Sequence, residues 1–365
     1  MEGNASRIQL GGNFRRDSPV SDDEVHRQAA RQLLDRQGLP GEFVLEALPC
    51  GRNNRVWRIR RPGSDFLLKK YYWAENDQRD RMGHEWDFLT YLHGIGCSLG
   101  PRALAVDRES RYALIEFIAG TGVSISGITD QGVFAAADFF SSMNAGRYTS
   151  AALALAPASE ACFSLEEHVE TMERRIRRLG EITSEDEMHR EAADFVSVQL
   201  LPLWNKARGL ILERAAEHGG LTRKLDARER CLSPSDFGFH NAIKTADGTL
   251  RFVDFEYSGW DDPAKTIADF ANQPDRLLPD AMGGLFRERA LALFPDNGQL
   301  AARLRLLTPL YQVKWACICL NEFLPSGSHR RAFTGQGGDD AVRHLSGHLD
   351  RARIMQARAE SNLDA

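Results

Sequence analysis

Asp236 and Asn241 stand five residues apart in the run Ser233-Pro234-Ser235-Asp236-Phe237-Gly238-Phe239-His240-Asn241, and Asp254 follows the stretch Leu250-Arg251-Phe252-Val253. An acid that can orient a hydroxyl, with an amide oxygen and a second acid that can hold a divalent cation, is the set that phosphoryl transfer needs, because positioning and charge neutralisation do most of its catalysis. Taken singly, Asp236 and Asn241 read as turn formers. As an ordered trio flanking short apolar runs, they read as chemistry. A phosphate also calls for a cation. Lys69 and Lys70 end the run Phe66-Leu67-Leu68, and lysine is scarce here, with seven among 46 basic residues. Strand alternation puts the two lysines on opposite faces, so only one can enter a cleft, and Lys69 is taken as that one. Glu85 sits near the stripe of Met82, Trp86, Leu89 and Leu92, where an unpaired carboxylate would be costly. An ion pair with Lys69 removes that cost; an exposed Glu85 is the alternative.

These residues need particular elements around them. Patterning predicts strands over 43–48, 56–60, 66–71, 103–106 and 112–118, with one helix over 79–93. After Gly120 and Gly122 it predicts helices over 129–143, 164–180, 186–218, 280–294, 300–323 and 339–359. A β-rich island over 229–256 interrupts them, turning at Ala246-Asp247-Gly248. The expected organisation is a flexible tail over 1–25, a small lobe over 26–118 and a larger lobe over 119–365, with a ligand cleft where the lobes meet.

The segment from Asp236 to Asn241, followed by Asp254-Phe255-Glu256, resembles the core of the aminoglycoside phosphotransferase and choline kinase family, protein-kinase relatives that act on small molecules. That family's loop reads H-G-D-x-x-x-x-N and its later motif D-[FWY]-[DE]. The resemblance runs over roughly residues 42 to 330. It implies an α+β, bilobal, protein-kinase-like fold: a five-stranded antiparallel N-lobe with one helix, and a mostly helical C-lobe. It also implies ATP and Mg²⁺ as cofactors, with Asp236 as catalytic base, Asn241 and Asp254 as magnesium ligands and Glu256 as an auxiliary carboxylate. Lys69 would contact the phosphates, with Glu85 as its partner. Gly51, Asn53 and Asn54 would belong to a loop covering the nucleotide, a signal that a plain polar hairpin turn also explains. Glu116 and Ile118 would meet adenine through backbone groups, and Asp269 would brace the catalytic loop.

Where the family has His-Gly before the aspartate, this chain has Pro234-Ser235; His240 is either a substitute for that histidine or an ordinary loop residue. Only 15 residues separate Asp254 from Asp269, which leaves no room for the activation segment and peptide platform of a protein kinase. The expected partner is therefore a small hydroxylated molecule such as a sugar or amino alcohol. A nucleotide-binding pseudokinase scaffold and an atypical protein kinase are the alternatives. Tyr311, Lys314, Trp315 and Glu322, with Ile318, share one face of a helix, either as an acceptor wall or as a buried helix with snorkelling polar ends. Lys314 there favours a neutral or anionic acceptor.

A net charge of −5 gives no global basic field for nucleic acid or anionic lipid. The six cysteines form no C-x-x-C pair and read as reduced. No signal peptide or membrane span is recognisable, so a cytoplasmic location is expected.

Overall fold

Residue alternation builds the small sheet of the computed structural model, which describes residues 22–49, 54–73, 79–184, 186–295, 297–325 and 339–364. Strands β1 (Val44–Ala47), β2 (Arg55–Arg61), β3 (Ser64–Lys70), β4 (Ala103–Asp107) and β5 (Tyr112–Glu116) pair antiparallel in the order β1-β2-β3-β5-β4. Leu68 pairs with Leu114 and packs in one core with Ala30, Leu33 and Leu34 of α1 (Asp22–Arg36). The sequence reading had only the helix at 79–93, here α2 (Arg81–Gly94), so α1 is a second helix of this lobe. It starts inside the stretch expected to be a tail; residues 1–21 lie outside the described ones. With α1 covering one face of β3, Leu67 and Lys69 face the other, toward α2 and the larger lobe.

Past β5 the chain is mainly helical, with α3 (Asp130–Ala145), α4 (Ser150–Leu153), α5 (Leu165–Leu179), α6 (Glu187–Phe195), α7 (Leu201–Arg214), α8 (Pro263–Ala271), α9 (Asp280–Leu291), α10 (Asn297–Leu320) and α11 (Asp339–Leu363). The segment expected as one helix over 186–218 is divided into α6 and α7 by a π-helical turn over Val196–Leu200. Pro202 follows it, and proline has no N–H to continue the ladder.

Two short antiparallel ribbons lie among these helices. β6 (Thr121–Gly122), β8 (Ala242–Lys244) and β9 (Leu250–Phe252) form one; β7 (Cys231–Ser233) and β10 (Gly259–Asp261) form the other. Both depend on glycine. A Cβ on Gly120 would lie 2.4 Å from the Lys244 carbonyl oxygen, and one on Gly259, whose φ is +153°, would lie 2.3 Å from that of Ala156. Among the described residues no helix is long and apolar enough to cross a membrane.

Candidate active site

The two ribbons hold the two acids. Asp236 lies between β7 and β8, and Asp254 directly follows the β8–β9 hairpin. Each is followed by a buried phenylalanine that anchors it. Phe237 packs against Phe252, Phe139 and Phe270 with ring centroids 5.3, 5.9 and 4.7 Å away. Phe255 packs on Phe88 of α2 at 5.2 Å. The hairpin register pairs Ala242 with Phe252, and Val253 N–H donates to the Asn241 carbonyl at 2.9 Å, so Asn241 lies beside the strand that ends at Asp254. Asn241 Nδ2 donates to the Asp236 carbonyl at 3.0 Å, which leaves its amide oxygen for another partner. Ser235 (φ 66°) and Asp254 (φ 68°) hold left-handed backbone conformations that non-glycine residues rarely adopt, at a cost repaid by surrounding packing.

His240 Nε2 donates to Asp236 Oδ1 at 3.1 Å. Burial alone would raise the Asp236 pKa, but His240 and Lys314 outweigh it and hold the carboxyl below its usual range. His240, which burial would lower, is raised by the same pair. The histidine four residues after the acid thus contacts it directly.

Lys69 is 4% exposed, and its ammonium donates to Glu85 Oε2 at 2.7 Å and to Asp254 Oδ1 at 2.6 Å. Burial would lower the lysine, but the carboxylates of Asp254, Glu85 and Glu256 overcome this and raise it well above the ordinary lysine value. Glu85 is held further by Tyr71 Oη at 2.6 Å and by Phe255 N–H at 3.1 Å. One buried carboxylate therefore joins β3, α2 and the segment after β9. Lys70 points the other way, with its ammonium 4.4 Å from the Tyr112 ring centroid and bonded to the Ser110 carbonyl. Glu256 Oε2 accepts from Asn54 Nδ2 at 2.5 Å, which brings the end of the β1–β2 turn over Asp254-Phe255-Glu256. Gly51 and Asn53 lie outside the described residues.

Glu116 has its N–H on the Arg102 carbonyl at 2.9 Å, and its carboxylate accepts from Arg251 at 2.8 and 3.1 Å. Only its carbonyl remains for an adenine contact. Ile118 N–H has no backbone partner among the described residues.

Next to Asp236 opens a cavity of about 520 Å³. Lys314, Trp315 and Ile318 of α10 line it, but Tyr311 and Glu322 do not. Tyr311 is 2% exposed, and its hydroxyl donates to His168 Nδ1 at 2.5 Å; Glu322 is 4% exposed and lies 3.6 Å from His344. For Tyr311 the reason is that α10 is buried almost all round, so that one helical face does not coincide with one wall; Glu322 lies beyond the end of α10, in a 3-10 turn over Asn321–Phe323. Asp269 accepts from Lys314 Nζ at 2.6 and 2.7 Å, and among the described hydrogen bonds it makes none to the loop backbone it was expected to brace. The lining residues that were missed include Arg79, Glu160, Arg175, Arg178 and Tyr257. They come from distant segments, and nothing local marks them beyond the charged face of α5.

No family model matches the chain, and no curated protein matches it. Solved structures do. The choline kinase of Cryptosporidium parvum superposes with a TM-score of 0.58 at 12% identity, over 92% of this chain and 97% of that one. The chain shares the fold of that choline kinase. The choline kinase LicA of Streptococcus pneumoniae matches at 0.57 and 15% identity, over 92% and 99% of the two chains. A spectinomycin phosphotransferase in complex with ADP and spectinomycin matches at 0.59 and 10%, over 94% and 99%.

Proposed function

We propose that this small-molecule-kinase-fold protein transfers the γ-phosphoryl group of ATP to a hydroxyl of a small molecule. The observation that carries the reading is the buried Lys69 ammonium, bonded at once to Glu85 on α2 and to Asp254 beyond the catalytic hairpin. A cation so held costs desolvation energy that packing alone does not require. Facing phosphates, it gains a use. Asn241, Asp254 and Glu256 present amide and carboxylate oxygens from neighbouring segments, a donor set that fits a hard divalent cation such as Mg²⁺. When bound, such an ion would neutralise phosphate charge.

The chain's own residues do the rest. Asp236, kept ionised by His240, accepts a hydrogen bond from the acceptor hydroxyl and orients its oxygen. The acceptor oxygen forms the new O–P bond, the bond from the γ-phosphorus to the β,γ-bridging oxygen breaks, and ADP leaves with that electron pair. The hydroxyl proton passes by way of Asp236 to solvent. Glu116 and Ile118, at the junction of the lobes, are the proposed adenine contacts.

ADP release measured against a panel of hydroxylated compounds tests the reading. Asp236→Asn should lower kcat by about 10²–10⁴ while nucleotide affinity, followed by a fluorescent ATP analogue, stays within about threefold. Equal turnover in wild type and variant would exclude Asp236 as the base.

A further inference from the structure

We infer that Glu322, His344 and His348 form a site for a divalent transition-metal ion of the zinc type, which fastens α11 to the turn that follows α10. The inference concerns residues outside the proposed phosphotransfer site and does not rest on the phosphotransferase reading.

The two histidines stand four residues apart on α11, an interval that returns a helix to the same face. Folding brings Glu322 to them from a separate element, the 3-10 turn over Asn321–Phe323. One ligating atom from each residue lies within 4.8 Å of the other two. Glu322 Oε2 and His344 Nε2 are 3.6 Å apart, and the two imidazole centroids are 4.5 Å apart with their planes inclined by 53°. At that separation the acid and the ring are too far apart to hydrogen-bond each other. Ligand atoms held about 2.1 Å from one tetrahedral zinc ion stand about 3.4 Å from one another, so side-chain movements of about 1 Å would close the three around an ion.

Donor chemistry and burial agree with the geometry. Two imidazole nitrogens and one carboxylate oxygen are the set that zinc takes in two-histidine, one-carboxylate centres, with a fourth position left for water. A hard ion such as Mg²⁺ prefers oxygen donors throughout. Glu322 and His348 are each 4% exposed, whereas 31% of the His344 side chain reaches solvent. Packing therefore holds two of the ligands, and the third borders a path by which an ion can enter. Glu322 and His348 each have a further interaction, and ligation is compatible with it: a carboxylate has a second oxygen and an imidazole a second nitrogen, which metal ligands commonly use to bind their neighbours. None of the three lines the cavity beside Asp236, although Asn321, the residue before Glu322, does. The role assigned to the ion is accordingly structural, a clip between α11 and the turn.

Zinc chloride alone is the probe. The full chain, stripped with EDTA and returned to buffer with excess Mg²⁺ to fill oxygen-ligand sites, should bind one equivalent with a Kd of about 1 μM or tighter by calorimetric titration, and zinc should raise its melting temperature. His344→Ala, which alters the most exposed ligand, should weaken binding about tenfold or more and remove the melting shift while keeping native circular dichroism. Cobalt reports on the ligands themselves. Wild type with one equivalent of Co²⁺ should show the visible bands of a tetrahedral ion and no thiolate charge-transfer band, which separates this site from the cysteines. His344→Cys should add that band, because it places sulfur on the ion. No zinc bound under these conditions, undiminished binding and melting shift in His344→Ala, a thiolate band in wild type, or none in a natively folded His344→Cys would each overturn the inference.

Discussion

Lys69 is a single cation whose removal would leave two acids without it. In Lys69→Met, Glu85 keeps only Tyr71 and Phe255 as partners inside the lobe junction, and Asp254 loses its contact with β3. The variant should lose about 3–5 kcal/mol of stability, the usual cost of breaking a buried pair from one side, as well as its nucleotide affinity. Urea denaturation checks the first effect. An unchanged midpoint would mean that the pair is not closed in solution. These residues were legible in the sequence because chemistry restricts both their type and their spacing: a lysine ending an apolar strand, an acid on the inward stripe of the next helix, and an Asp, Asn, Asp order across a hairpin. The face that Lys69 takes was legible too, since alternation left two choices and only one lysine could meet α2. Arg175, Arg178 and Glu160 were not legible, because their meeting with Asp236 is made by folding alone.

Helix α8 shows how one element is fixed by a residue with no part in the chemistry. Asp262 caps it through the Ala264 N–H at 2.7 Å and accepts from Arg303 Nε at 2.7 Å and His168 Nε2 at 3.0 Å. His168 receives the Tyr311 hydroxyl on its other nitrogen, which fits a neutral ring protonated at Nε2. Burial holds His168 below its ordinary value, and Arg303 and His168 hold Asp262 well below the carboxylate range. A histidine lowered in the folded state is protonated first in the unfolded chain, so its stabilising effect is present above about pH 6.5 and fades as the pH falls below it. The depressed Asp262 contributes above about pH 4 and is lost as the pH falls through its folded value. Melting temperature should therefore fall on acidification from pH 7 to 5. The deficit of His168→Gln relative to wild type should be largest at pH 7 and shrink toward pH 5; a constant deficit would contradict this account. The same region explains a sequence misreading. Helical spacing grouped Tyr311 with Lys314 and Trp315, but a helix with neighbours on nearly all sides gives its polar residues several destinations, and Tyr311 reaches His168 instead of the cavity. Helix α1 was missed because its buried stripe of Ala29, Ala30, Leu33 and Leu34 is short and half alanine.

Among the described residues, several links join the small lobe to the ribbons beneath it. Besides Lys69 to Asp254, they include Asn54 to Glu256, Arg251 to Glu116 and to the Gly100 carbonyl at 2.6 Å, Phe252 N–H to the Leu99 carbonyl at 2.8 Å, and Phe255 N–H to Glu85. All lie within or beside Asp254-Phe255-Glu256 and the hairpin leading to it, so the seam between the lobes and the proposed phosphate and metal residues are the same structure. On one side the seam would hold the nucleotide. On the other, the charged cavity would place an acceptor against Asp236. Incubating the purified protein with γ-labelled ATP, Mg²⁺ and a deproteinised metabolite extract, then separating products by size, tests that whole arrangement most directly. The account predicts label in a small anionic product with wild type and its near absence with Asp236→Asn; label retained only in ATP and free phosphate, or carried onto polypeptide when protein is added, would contradict it.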